Sequence, residues 1–336
     1  YALVPLVDEA QNGDLLKRIS LTRQKLALEL GIIVPSARIR DNIQLPATEY
    51  AIKLRGIRVA GGEVMPRFVL ALDTSGGAAP IEGIQTTDPS FGMPAVWISP
   101  DLRIEAEASG YTVVEPATVL STHLMETVRE HAADLLTRQH TRELLDGVKE
   151  SHPALVDDVV PGKLPRQVVF EDAVLQRLLR EGLPIRDLVS ILEALSDGAD
   201  TTKDPETLTE HVRRAMGSII LQLFAQSDGS IRGITVGPRL EAALMQLFSP
   251  RPLREGGART MDPDELTDAL RRLNELVVSH RHDGHWPALI APPSLRTGIR
   301  RLVEPVLPKL PVLSLGELPT QAPILSLATW ELPRAS

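Results

Sequence analysis

The chain has 336 residues, of which 43% are hydrophobic and 24% are charged. These proportions are typical of folded globular proteins and do not suggest a disordered or fibrous chain. The length suffices for about two to four compact units. Lys and Arg number 36 against 44 Asp and Glu, and the net charge of -8 offers no general attraction to phosphate backbones, so we expect no nucleic-acid partner.

Two further features of the composition limit the function. The chain contains no Cys, which excludes disulfides, thiolate metal sites and Cys nucleophiles. No uninterrupted apolar run approaches the roughly 18 residues that a membrane-spanning helix needs. The sequence begins with Tyr1 rather than Met, and we expect it to be part of a longer protein.

The first part of the chain predicts an α/β arrangement. Residues 1–7 are strand-like, and 15–31 carry apolar residues at helical spacing, with Gly31 as a C-terminal stop. A turn is predicted at the pair Gly61 and Gly62. Short strands are predicted at three other places: 32–34, 49–55 and 57–59.

The segment 67–115 has a different texture and predicts a small β-containing insertion. Its strand candidates are 68–72 and 95–98. An Asp-Pro turn and Phe91 come directly before the second of them. Aromatic residues make up only 3% of the chain, so a Phe here indicates either a loop anchored to the core or a surface that binds a partner.

The middle of the chain is predicted to be helical, starting with one long segment at 117–150. Residues 170–195 predict two amphipathic helices with a break at 181–184 and Pro184 in the first turn of the second helix. Two helices joined by a tight turn are also typical of DNA-binding helix-turn-helix motifs. The acidic surroundings argue against that function.

The last part of the chain predicts a small α/β domain in which helices and strands alternate as in βαβ units. A new helix begins near 202–206, and a strand follows the Gly-Ser turn at 229–230. The predicted elements after the turn are, in order, strand 231–236, helices 240–247 and 263–278, strand 288–290, helix 294–307 and strand 312–314.

A search of the sequence for a catalytic or metal site finds no convincing arrangement. A Walker-type phosphate loop is absent, so a nucleotide site of that kind is excluded. Three His and one Asp at 280–285 suggest a zinc site. They fall in a predicted loop, however, which offers nothing to orient the ligands. We therefore favour a solvated polar loop and expect His282 and His285 to be dispensable.

Acid–base chemistry has two weak candidates. The carboxylate pairs Asp157 with Asp158 and Glu9 with Asp14 would need burial to separate their pKa values. A hydrolase-like group of Ser121, Thr122, His123 and Glu126 would lie on one helix, where neighbouring positions point to different sides. We therefore expect no enzymatic activity and no cofactor.

Several segments, in order and spacing, resemble the FlhA family, the export-gate proteins of flagellar type III secretion. The resemblance covers nearly the whole chain and fits the large cytoplasmic domain that follows the membrane region. The segments that carry it are LVPLVD at 3–8, LALELG at 26–31, VP at 34–35, IRDN at 39–42, the stretch 87–98, GYTVVEP at 110–116, TVLSTHL at 118–124, PALV at 153–156, LPIRDL at 183–188 and KDP at 203–205.

The resemblance implies a multidomain chain of α/β and α+β class with four small subdomains. The second subdomain, 67–115, is inserted into the first, which comprises 1–66 and 116–135. The third, 136–215, is mainly helical, and the fourth, 216–336, is α/β with a C-terminal tail. The segment 251–257 and the His-rich loop fit the family pattern poorly, so function in the fourth subdomain is the least secure part of the resemblance.

The resemblance also implies a function. Such a domain docks chaperone-bound export substrates and other export components, including the export ATPase complex, and assembles as a homo-nonameric ring. It lies at the cytoplasmic face of the bacterial inner membrane, anchored through a preceding membrane region. Other members of the family serve injectisomes, and that alternative stays open beside the remote one of a hydrolase using the His-rich loop.

The family resemblance places chaperone and substrate binding at a hydrophobic dimple between the first two subdomains. The matching positions are Asp88, Phe91 and Thr122. Asp88 is expected to orient a partner amide or Arg at the rim, and Val119, one helical turn before Thr122, to form part of the floor. The alternative is that Phe91 is a core residue that holds the insertion in place.

Overall fold

The computed structural model describes residues 2–11, 13–74, 77–165, 174–248, 261–281 and 286–332. The chain divides into two compact units. The first comprises Tyr1–Gly147 and Leu175–Asp187, and the second comprises Val148–Val174 and Leu188–Ser336. The mixed α/β class is confirmed, with helices and three sheets among the described residues. The division into four subdomains stays a prediction.

The N-terminal part contains two helices, a hairpin and a four-stranded sheet with its flanking helices. In chain order these elements are α1 (Val4–Val7), α2 (Leu15–Leu30), β1 (Glu49–Leu54), β2 (Ile57–Glu63), β3 (Val69–Leu72), β4 (Ile84–Thr87), β5 (Pro94–Ile98), α3 (Arg103–Ala108), β6 (Thr112–Val114), α4 (Pro116–Glu130), α5 (Ala132–Leu135) and α6 (Arg138–Ser151).

The antiparallel hairpin of β1 and β2 corrects the predicted turn at Gly61 and Gly62, which lie inside β2. The chain turns instead at Arg55 and Gly56, both with positive φ, of 51° and 88°. Positive φ at both central residues is the turn geometry that matches the twist of paired strands. A methyl group at Gly61 would lie 2.8 Å from the Tyr50 carbonyl oxygen, so this strand position is crowded.

The antiparallel sheet has the order β4-β5-β3-β6 and lies within 67–115. Side chains that alternate along β5 enter two different cores. Ala95 and Trp97 pack with Tyr50 of β1 and Val119 of α4, whereas Val96 and Ile98 pack with residues that include Ala106 of α3. Both faces of this sheet are therefore covered. The sequence analysis did not predict the two edge strands, β4 and β6.

Two predicted strands near the N-terminus are wrong. Residues 4–7 form α1 with Pro5 in its first turn, where a residue without an N–H group is tolerated. Residues 32–34 form no strand, although Ile32 and Val34 are buried. The backbone oxygens of Val34 and Pro35 accept hydrogen bonds from the Arg23 guanidinium, which replaces a strand partner.

The helical middle of the chain consists of shorter elements than predicted, because 117–150 is divided among α4, α5 and α6. A π-type turn, Asp158–Lys163, follows α7. The further helices are α7 (Pro153–Asp157), α8 (Val174–Arg180), α9 (Leu188–Ala199), α10 (Pro205–Ala215) and α11 (Gly217–Phe224).

The break predicted at 181–184 is present, but the connection between the two helices is longer than the predicted tight turn. Gly182 has a φ of 74°, Pro184 lies outside any helix, and α9 begins only at Leu188. The intervening Ile185 is fully buried and donates its N–H to the Leu30 carbonyl at the end of α2, at 2.8 Å. This tertiary hydrogen bond fixes the connection 183–187 against the end of α2, and α8 and α9 fall largely in different units.

The second unit contains a parallel sheet with the order β10-β7-β8-β9, so the predicted βαβ arrangement is confirmed. Its core is lined by α12, α13 and α14, and the indole N–H of Trp330 donates to the Ala269 carbonyl at 2.7 Å. The elements are β7 (Ile231–Val236), α12 (Pro238–Leu247), α13 (Pro263–Ser279), β8 (Ala288–Ala291), α14 (Arg296–Val303), β9 (Val312–Ser314) and β10 (Ile324–Trp330).

Buried ion pairs connect α10 to the parallel sheet domain. The Arg213 guanidinium donates two hydrogen bonds to Glu317, at 2.7 and 2.8 Å, and both side chains are 1% exposed. Arg296 of α14 is paired with Glu210 of α10 in the same two-pronged way. Charges taken out of water need such partners.

No helix in the described ranges is long and apolar enough to cross a membrane.

Candidate functional site

The candidate site is built on the turn between β4 and β5, here called the docking turn, residues 88–93. The Asp88 N–H donates to the Met93 carbonyl at 2.8 Å, and the Gly92 N–H donates to the Asp88 carbonyl at 2.9 Å. The Asp88 carboxylate accepts hydrogen bonds from the backbone N–H groups of Phe91, at 2.7 Å, and Ser90, at 3.1 Å. The turn is therefore closed by its own first residue.

The local sequence explains this geometry. Asp side chains accept hydrogen bonds from backbone N–H groups a few residues ahead. The ring of Pro89 fixes its own φ at a value that suits the second position of a turn. Gly92 has a φ of 67°, a conformation that glycine adopts without steric cost. The Asp-Pro-Ser-Phe-Gly segment thus encodes a turn that presents Phe91 at a defined position.

Two side chains of the docking turn are not fully accommodated by the core. Phe91 is only partly buried. The Ser90 hydroxyl is buried, and its oxygen has no hydrogen-bond partner among the described residues. A buried hydroxyl without a protein partner costs free energy unless a water molecule bonds to it.

Helix α4 supplies the other two predicted site residues. Val119 is 2% exposed and packs in the core with Tyr50 and Trp97, so it supports this region from below the surface. Thr122 is partly buried. His123, the next residue, is buried.

A buried ring pair that the sequence analysis did not single out lies beneath the docking turn. The Tyr50 hydroxyl and Nδ1 of His123 are hydrogen-bonded at 2.5 Å. The two rings meet edge to face, with centroids 5.7 Å apart and an interplanar angle of 75°. Burial raises the pKa of Tyr50, and the nearby negative charge of Asp88 raises it further. The phenol therefore stays protonated.

Asp88 belongs to the same polar cluster. Burial raises the pKa of its carboxyl group, and this effect exceeds the opposing effects of the Phe91 and Ser90 N–H groups and of the His123 charge. The effect of the His123 charge on Asp88 indicates that the docking turn lies near α4. Thr122 is the residue before His123 on that helix. Asp88 was expected at an exposed rim, but it is 4% exposed and its carboxylate bonds to the turn itself.

The side chains considered for acid–base chemistry have other partners in the structure. The Ser121 hydroxyl donates to the Thr118 carbonyl and His123 bonds to Tyr50, so they do not form a nucleophile and base. Asp157 accepts from Lys149 and Asp158 from Ser196, so each member of this carboxylate pair has its own partner.

The parallel sheet gives no obvious ligand site at the start of α12. Anions often bind at a helix N-terminus beside the carboxyl ends of parallel strands. Here the Glu331 carboxylate accepts from the backbone N–H groups of Leu240, at 2.8 Å, and Arg239, at 3.2 Å. The chain's own acid thus occupies this position.

The predicted dispensability of the His-rich loop concerns residues outside the described part of the chain. His282 and His285 both lie there. Nδ1 of the preceding His280 lies 2.8 Å from the Leu276 carbonyl oxygen, at the end of α13. Within the described ranges, no group of three or more His, Cys, Asp and Glu is arranged to hold a metal ion.

We expect the replacement Asp88→Asn to change how stability depends on pH. Asn keeps a side-chain oxygen for the turn but removes the buried charge. Because the pKa of Asp88 is raised on folding, its stabilising contribution is complete below the unfolded pKa, about 3.9, and is lost as pH rises through the folded pKa. The free energy of unfolding of the wild type minus that of the variant should therefore fall with increasing pH.

Urea unfolding at closely spaced pH values measures this difference. Asp101→Asn, at an exposed position, is the matched control for the change from carboxylate to amide. A difference that rises with pH would show that the hydrogen bonds and His123 outweigh burial at Asp88.

The comparisons with known proteins agree on one family. Residues 1–323 match the FHIPEP family. The flagellar biosynthesis protein FlhA of Bacillus subtilis is 39% identical over 332 residues, which is 99% of this chain and 48% of that protein. FlhA of Escherichia coli is 37% identical over 329 residues, which is 98% of this chain and 46% of that protein. The chain spans about half the length of these relatives.

Solved structures share this fold, and one of them is of a domain from the type III secretion system. The structure of the Chlamydia pneumoniae CdsV and CdsO complex contains a chain that aligns with a TM-score of 0.82 at 26% identity, covering 94% of this chain and 90% of that one. The nonameric EscV cytosolic domain aligns with a TM-score of 0.72 at 22% identity, covering 94% and 92%, and shows the shared fold.

Proposed function

Because the chain belongs to the FHIPEP family, we propose that it is the cytoplasmic docking domain of a flagellar protein export gate. In this proposal it binds chaperone–substrate complexes, contacts other export components including the ATPase complex, and has no catalytic role. The full protein is anchored in the inner membrane through a region that precedes this domain.

The observation that carries the proposal is the identity to proteins named for flagellar biosynthesis. FlhA of Bacillus subtilis is 39% identical, whereas the CdsV chain of the secretion complex is 26% identical. This difference favours a flagellar gate over an injectisome gate. The docking turn supports binding at this site because it combines a rigid backbone with a partly exposed aromatic side chain, the type of residue that forms binding hot spots.

We expect Phe91→Ala to weaken docking of a flagellar chaperone–substrate complex by about 2 kcal/mol, roughly 30-fold in Kd, without loss of the fold. Truncation removes apolar area from the interface, while the backbone hydrogen bonds to Asp88 remain. Isothermal titration calorimetry measures the affinity, and thermal unfolding monitors the fold.

The matched control is Ile104→Ala. Ile104 is 81% exposed on α3, which covers the other face of the inserted sheet, so its truncation should leave docking unchanged. Wild-type affinity in the Phe91 variant, or loss of its fold, would mean that Phe91 is a core residue and that docking occurs elsewhere.

We also propose that the full protein forms a ring of nine, as the relative solved as a nonameric EscV domain does. The isolated chain is expected to be monomeric or weakly associated, because its net charge of -8 repels other copies. Tethering to a membrane channel supplies an effective concentration in the millimolar range. Light scattering at micromolar concentration in moderate salt tests this, and a stable nonamer of the isolated chain would contradict it.

A further inference from the structure

The buried ring pair of Tyr50 and His123 lies beneath the docking turn and is joined by a hydrogen bond as well as by packing. Tyr50 comes from β1 and His123 from α4, and they join in a hydrogen bond with both rings buried. Two polar groups in an apolar core must satisfy each other, and such pairs fix the relative position of the elements that carry them.

Glycine at position 62 brings the docking turn onto this pair. A methyl group there would lie 3.0 Å from the Tyr50 hydroxyl oxygen and 3.2 Å from Cβ of Pro89. Pro89 and the Tyr50 hydroxyl are therefore both next to the β2 backbone at Gly62. The preceding residue, Asp88, is electrostatically coupled to Tyr50 and to His123.

We infer that Tyr50 and His123 are positioning residues for the docking turn, and that the charge on His123 controls how firmly Asp88 holds the Phe91 backbone. This inference rests on the proposed function of the turn. An ionised Asp88 is the better acceptor for the Phe91 and Ser90 N–H groups. Its buried negative charge is less costly when His123 is protonated, so the two ionisations are coupled.

The charged and titratable groups around this cluster come from each element that packs there. Asp88 belongs to the turn, Tyr50 to β1 and His123 to α4. On β2 the Arg58 guanidinium lies over Gly61, because a methyl group added there would be 2.5 Å from one of its nitrogens. The same methyl group would be 2.8 Å from the Tyr50 carbonyl oxygen. Further along α4, Glu126 is paired with Arg129 at 2.8 Å. Besides the Tyr50 phenol, the titratable side chains of the cluster itself are Asp88 and His123.

The test compares Tyr50→Phe, which keeps the ring, with His123→Gln, which keeps a hydrogen-bonding side chain but cannot titrate. Matched controls are Tyr111→Phe, in the core on the other face of the inserted sheet, and His131→Gln, near the end of α4. Two readouts are recorded from pH 5 to 8. One is the protection of the Ser90 and Phe91 amides, which is their exchange rate relative to the intrinsic rate at the same pH, and the other is the affinity for the flagellar chaperone–substrate complex.

In wild type we expect amide protection and affinity to change together across this pH range. His123→Gln should move the pH dependence of both to higher pH, because Asp88 loses the His123 charge that opposes the rise of its pKa. Tyr50→Phe should lower protection by about five- to ten-fold, as expected for the loss of one buried hydrogen bond. Both controls should retain the wild-type profile. Thermal unfolding verifies that each variant is folded.

Two outcomes would contradict different statements. If Tyr50→Phe and His123→Gln keep wild-type protection and pH profile, the positioning role is wrong. If both variants lose amide protection but bind the complex like wild type, the cluster shapes the turn, and the proposed docking function of that turn is wrong. Asp88→Asn provides an independent variant, because it should remove the pH dependence while His123 and Tyr50 remain in place.

Discussion

Replacement of Arg213 by Met is expected to destabilise the second unit by about 3–5 kcal/mol, the usual cost of leaving a buried charge without its partner. The Arg213 and Glu317 side chains are each 1% exposed, so water cannot solvate the carboxylate that remains. Glu317 also accepts from the Ser314 N–H at 2.9 Å and would keep that bond. Native-state hydrogen exchange of peptides from α10 and α14 at increasing urea measures the loss.

Two further variants separate the buried charge from the loss of side-chain packing. Adding Glu317→Gln to Arg213→Met should recover part of the stability, because the charge disappears while an acceptor for Ser314 remains. Arg301→Met should cost about 0–1 kcal/mol, since Arg301 of α14 pairs with Glu206 of α10 but is 68% exposed. Equal losses for Arg213 and Arg301 would contradict the role assigned to burial.

Gly31→Ala is expected to destabilise the first unit by about 3 kcal/mol, through left-handed backbone strain and a steric clash together. Gly31 has a φ of 75°, and a methyl group there would lie 2.3 Å from Cα of Arg186. The segment 183–187 would have to move, which would break the hydrogen bond from Ile185 to the Leu30 carbonyl. Thermal unfolding and hydrogen exchange of Ile185 measure these effects.

The matched control for Gly31 is Gly182→Ala. Gly182 has nearly the same φ, 74°, but a methyl group there would have no other atom within 4 Å among the described residues. Its replacement should therefore show only the backbone strain, about 1–2 kcal/mol. If the two variants lose the same stability, the close approach between α2 and residues 185–186 is unimportant.

The predicted elements differ in how well local sequence could define them. Helix α2 follows from apolar spacing and a C-terminal glycine, and the predicted helix at 15–31 agrees with Leu15–Leu30. The edge strands β4 and β10 were not predicted, because exposed positions interrupt their apolar pattern. The pairing partner of β10, strand β7, is also distant in sequence. Pro184 was wrongly assigned to a helix. Its segment is fixed by the hydrogen bond from Ile185 to the end of α2, and no local sequence pattern reveals that bond.

By itself the sequence determined the family, the mixed α/β class and the docking turn, since an Asp-Pro-x-x-Gly turn is encoded by five adjacent residues. Tertiary structure alone decided that Asp88 faces inward rather than toward a partner. It also decided that Tyr50 and His123, which are 73 residues apart in the chain, form a hydrogen bond beneath the turn. Burial and electrostatic coupling depend on which distant elements pack together, and this is a property of the folded chain.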